Sequence, residues 1–111
     1  MLTFVINGIG WVVKFVPPTH PMLLTDKGTF TLGCCSNDTK TIYISRILSE
    51  RKMRKVLCHE ITHAAMFSYG VELTYDQEEL IADIIATYGN EVIAVTNKVF
   101  RKIRNRDSYF I

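Results

Sequence analysis

The sequence predicts an α+β fold in which a small, mostly antiparallel sheet packs on a long helix and a second helix follows. Two observations carry this. The first half holds short β-branched and aromatic runs cut by turn residues, the pattern of strands. The second half repeats apolar residues every three or four positions, the pattern of helices. Hydrophobic residues make up 48% and charged residues 22% of the 111, ordinary usage for an ordered domain. That length fits one domain, residues 1–111.

The N-terminal stretch from Met1 to Val16 is apolar, but it lacks a basic start and a small-residue cleavage site. Asn7, Gly8 and Gly10 interrupt it, and it is too short to span a bilayer. It reads as strand and turn, which predicts a cytoplasmic protein. Trp11–Val16 is the first clear strand and ends at Pro17-Pro18. Thr29–Leu32 follows an Asp26-Lys27-Gly28 turn signal and stops at Gly33, which predicts a second strand. Ser36-Asn37-Asp38 reads as a turn, and Thr41–Ile44 as a third strand. If that third strand is an edge, a peptide can add beside Tyr43 and Ile44; an internal strand is the equal alternative.

Ser49 is the expected N-cap of the first helix, with Glu50 suited to the positive end of the dipole. Met53, Val56, Leu57, Glu60, Ala64 and Phe67 form its buried stripe, and Gly70 ends it. The second helix is expected to start near Asp76, with Asp76 and Glu79 as a capping box. Leu80, Ile84, Val92, Val95, Val99 and Ile103 keep the helical period, and Gly89 is a candidate kink.

Net charge is +2, too small to indicate nucleic acid. Arg101, Lys102, Arg104 and Arg106 cluster near the C-terminal end, where a helix C-terminus favours cations. The apolar tail Ser108–Ile111 is a candidate docking segment. Cys34, Cys35 and Cys58 are odd in number and contain no CxxC pair, so they read as structural thiols.

The chemistry lies in His59-Glu60-Ile61-Thr62-His63, an HExxH pattern on the first helix. Residues four apart share a helix face, so both imidazoles reach one metal ion, and neutral imidazole suits zinc. Glu60 is rotated off that face and is positioned to accept a proton from a zinc-acidified water. The second helix offers Glu78, Glu79 and Asp83. Glu79 and Asp83 are four apart: Glu79 is the expected third ligand, and Asp83 the expected acceptor for the outer nitrogen of a ligating histidine. Glu78 is the alternative ligand. Asp83 sits in the run Ala82 to Ala86, which looks largely buried. Tyr75, Tyr69 and His20 are candidates for stabilising an oxyanion, whereas Tyr88 is out of phase with Glu79.

HEITH followed by EELIAD resembles the gluzincin metallopeptidases, and more closely the small ImmA/IrrE-type metallopeptidases of bacteria, phages and integrating elements. The similarity runs from Trp11 onward and is specific over Leu57–Gly89. It implies a zincin-like fold, zinc held by His59, His63 and Glu79, Glu60 as general base, and Asp83 behind the ligands. It also implies a protein or peptide substrate and regulatory proteolysis. The family's frequent LMP sequence after the glutamate helix is replaced by Ala86-Thr87-Tyr88-Gly89. The rival reading is a zinc-stabilised binding or regulatory module without protease activity, for which a fourth ligand from Cys34, Cys35 or His20 is the expected mark.

Overall fold

The computed structural model describes residues 1–105. Arg106 and the apolar tail Ser108–Ile111 lie outside them.

The chain opens with a hairpin. β1 (Leu2–Ile6) pairs antiparallel with β2 (Ile9–Val16), in register from Leu2 opposite Val13 to Ile6 opposite Ile9. The two-residue turn between them, Asn7-Gly8, has φ of 50° and 75°. This left-handed pair matches strand twist, and Asn-Gly supplies it at low cost. After Pro17-Pro18 and a short 3-10 turn (Pro21–Leu23) come β3 (Gly33–Ser36) and β4 (Thr41–Ser45). The sheet order is β1-β2-β4-β3, with β2 and β4 parallel and the other two pairings antiparallel. The architecture is α+β as expected, on a mixed sheet.

Two strand expectations change. Thr29–Leu32 is not a strand. Phe30 makes only an isolated bridge with Leu24, and Thr25 N–H donates to the Thr29 carbonyl at 2.8 Å, closing a small loop. The strand begins at Gly33, where the sequence reading ended it. A Cβ at Gly33 would stand 2.8 Å from Val56 Cγ1 and 3.0 Å from both Cγ and Oε2 of Glu60. Glycine here lets the backbone approach the helix rather than break the strand. Gly33→Ala overpacks this contact and is expected to cost about 1–3 kcal/mol. Thermal denaturation should show a fall of about 4–8 °C per kcal/mol; an unchanged Tm would show that α1 yields freely.

The second change concerns the edge. β4 is hydrogen-bonded on both sides, so Tyr43 and Ile44 cannot receive a peptide. The edges are β1 and β3, and the four residues of β3 run beside the HExxH helix.

α1 (Glu50–Tyr69) is capped by Ser49, which accepts from Lys52 N–H, and ends at Gly70 in the left-handed conformation, φ 64°. Its inner face packs Met53, Val56, Leu57 and Ile61 against a buried cluster of Trp11, Ile42, Ile44 and Ala64. Trp11 is further fixed by its Nε1–H, which donates to Ser68 Oγ at 2.8 Å. The sheet and α1 thus share one core, and the HExxH residues stand on that helix.

α2 (Tyr75–Ile84) starts two residues sooner than its acidic residues suggest. The capping box is Thr74 with Gln77, not Asp76 with Glu79. Glu79 is therefore free of capping duty. Instead of breaking at Gly89, the helix passes through a π-turn, Ile85–Gly89, into α3 (Asn90–Arg104). Among the described residues no helix is long and apolar enough to cross a membrane.

Candidate metal centre

α1 carries two histidines on one face because they are one helical turn apart, and the rings meet edge to face at 4.9 Å between centroids. Their Nε2 atoms lie 3.2 Å apart. α2 crosses above them and brings Glu79 to the same point, with Oε1 2.7 Å from His63 Nε2 and Oε2 3.4 Å from His59 Nε2. Among the described residues this is the one group of three potential donors, all within 4.8 Å of one another. Tetrahedral zinc with bonds of about 2.0–2.1 Å separates its ligands by about 3.3–3.4 Å, close to the triangle seen here.

The outer nitrogens explain why the inner ones face each other. Asp83 Oδ1 is 2.9 Å from His59 Nδ1, and Glu78 Oε1 is 2.6 Å from His63 Nδ1. A carboxylate at Nδ1 holds the hydrogen there and turns the Nε2 lone pair inward. Two such lone pairs at 3.2 Å repel unless a cation lies between them, so the donor set fits a metal. Glu60, Glu78, Glu79 and Asp83 surround the two rings, and this excess of negative charge suits a divalent cation.

Asp83 meets His59 as expected, but its side chain is 67% exposed rather than buried. Along α2 only Ala82 is buried, and Ile84 and Ile85 remain partly in solvent. The apolar letters around Asp83 therefore misjudged its depth. Glu78, weighed only as a substitute ligand, backs His63 instead, and its side chain is 16% exposed. The sequence held one clue: Glu78 and Glu79 are adjacent, about 100° apart on a helix, so one can point at the inner nitrogens while the other reaches a ring from outside.

Glu60 is buried and lies apart from the three-donor group, in the wall of the cleft beside β3. Burial pushes its carboxyl above the usual range, and the two histidines pull it partly back. A carboxylate raised in this way is the stronger proton acceptor.

The cleft of about 580 Å³ on one side of the centre is lined by Met22, Leu24, Phe67 and Tyr75 together with the β3 cysteines. Tyr75 alone of the three oxyanion candidates lines it; the nearby Glu79 carboxylate, burial and Asp76 raise its phenol. His20 instead caps the 3-10 turn and stacks on Tyr43. Tyr69 is exposed at the end of α1, and Tyr88 is exposed on the π-turn. Cys34, Cys35 and Cys58 are free thiols. Burial pushes Cys35 up to about 12, so it stays protonated. Neither it, Cys34 nor His20 joins the donor group among the described residues.

An HExxH helix against a small sheet, closed by a glutamate helix with two histidines and a carboxylate at one point, defines a metallopeptidase-like domain. The chain belongs to the IrrE N-terminal-like family of peptidases: the family model matches residues 15–106, which include β3, β4 and every residue of the centre. No curated protein and no solved structure matched the chain.

Proposed function

We propose that this chain is a zinc-dependent peptidase that hydrolyses peptide bonds in a protein or peptide substrate. The observation that carries the reading is the facing pair of histidine Nε2 atoms, each backed by its own carboxylate, with Glu79 closing the triangle. Bound zinc would supply an acidified water and would polarise the scissile carbonyl.

The protein's own groups do the rest. His59, His63 and Glu79 hold the ion, and Asp83 and Glu78 keep the rings turned inward. Glu60, raised by burial, takes the proton of the attacking water and delivers it to the departing amine. The free edge of β3 can align an extended peptide by main-chain hydrogen bonds across the cleft. Three donors facing an open cleft support this reading over a closed structural site, which would use four.

Chelation followed by reloading tests the proposal. Protein stripped of metal should cleave no member of a mixed peptide library by mass spectrometry. One equivalent of zinc should restore cleavage. Equal cleavage with and without metal, or none after reloading, would defeat it.

A further inference from the structure

The cleft has two unlike ends. Towards the C-terminal end of α1 its wall is apolar, with Met22, Leu24 and Phe67. Towards the N-terminal end it continues past His59 and Glu60 to Lys52 and Lys55. From there a groove of about 540 Å³ runs between α1 and the π-turn, lined by Arg51, Lys52, Arg54 and Lys55 with Ser49, Ala86 and Thr87. The two cavities share Lys52, Lys55 and Ala86. Glu79 and Asp83 stand at the inner end, each already engaged by a histidine, and no acidic residue lines the outer groove.

Four cations in this position are unfavourable for the free protein. They lie in the first two turns of α1, at the positive end of the helix dipole. They also repel one another. Every ion pair among the described residues involves His59 or His63, so no described residue neutralises any of the four. An anionic partner in the groove would relieve both costs.

Resting on the peptidase reading above, we infer that this groove binds acidic side chains of the substrate on one side of the scissile bond. Lys55 and Lys52 come five and eight residues before Glu60, about 8 and 12 Å along the helix axis. That distance is the reach of about two to four residues of extended peptide. The substrate is therefore an extended segment with an apolar residue at one end of the cleft and acidic residues two to four positions beyond the scissile bond at the other. Long-range attraction would also speed encounter, and salt would weaken it.

The test uses internally quenched peptides with one shared apolar centre and Glu-Glu, Ser-Ser or Lys-Lys pairs placed two to four residues to either side. With zinc-loaded protein, the Glu-Glu peptide of one polarity should have at least a tenfold higher kcat/KM than its Lys-Lys counterpart. The gap should shrink between 20 mM and 500 mM salt. The double variant Lys52→Glu, Lys55→Glu should invert the order. The same peptides are also titrated by fluorescence anisotropy against zinc-loaded Glu60→Gln protein, so binding is read even where nothing is cleaved. Cleavage with no charge preference would overturn this inference and leave the peptidase reading standing. Absence of cleavage with a clear Glu-Glu binding preference would do the reverse. Equal binding of all peptides, or tight binding of a 12-nucleotide single strand without any preference among peptides, would assign the cations elsewhere and overturn it.

Discussion

Glu60→Gln should leave zinc bound at one ion per chain and reduce peptide hydrolysis by about a thousandfold. The amide keeps the size of the carboxylate and its fit beneath Gly33, but it cannot accept a proton. General base catalysis contributes about 10²–10⁴-fold, and in the proposed mechanism the same group also protonates the leaving amine, so a loss no smaller than the middle of that range is expected. Glu60 is outside the three-donor group, so elemental analysis should not change. Burial opposes the charged form of Glu60; the neutral amide removes that cost, and Tm should not fall. Activity within a few fold of wild type would remove Glu60 from the reaction. Loss of zinc together with activity would instead make it a ligand.

The second large effect is on the metal itself. His63→Ala and Glu79→Ala each remove one of three donors and should abolish stoichiometric zinc binding at micromolar protein, as read by elemental analysis after dialysis. Glu78→Gln and Asp83→Asn leave the donors in place. They should weaken zinc by about 10–100-fold, the usual effect of losing a partner behind a ligand. Stability should follow occupancy. Zinc at a hundred times its Kd stabilises the native state by about 2.7 kcal/mol, and each kcal/mol moves Tm by about 4–8 °C in a domain of this size. Wild-type protein should therefore gain about 10–20 °C on loading, and the ligand variants almost nothing. Equal zinc content in wild type and Glu79→Ala would detach α2 from the metal.

The same residues show why some features were legible in the sequence and others were not. Glu78 and Glu79 are adjacent glutamates with equal local propensities. Which one meets the inner nitrogens depends on the rotation of α2 about its own axis as it lies across α1, and that rotation is fixed by packing around buried Ala82. The capping box makes the same point on a smaller scale. Asp76 and Glu79 satisfy the spacing rule, but the turn from Gly70 to Thr74 delivers the chain so that Thr74 and Gln77 fill it. Gly33 is the clearest case. Read locally, a glycine after a β-branched run ends a strand; in the fold, contact with Val56 and Glu60 makes it the residue that lets a strand begin there.

By itself the sequence determined the α+β class, the strand-and-turn character of Met1–Val16, the limits of α1 from Ser49 to Gly70, and the presentation of His59 and His63 on one face. Each depends on covalent geometry and hydrogen bonding within a few residues, and a helical period of 3.6 makes residues four apart neighbours wherever the helix is put. Only the tertiary structure decided that β3 is the edge beside the HExxH helix, that β4 is internal, that Glu78 backs His63 while Glu79 faces both rings, and that four cations without an ion pair among the described residues line one end of the cleft. Those outcomes depend on contacts between segments far apart in the chain. Buried area and close packing select the arrangement there, and local letter patterns do not encode the angle at which two elements meet.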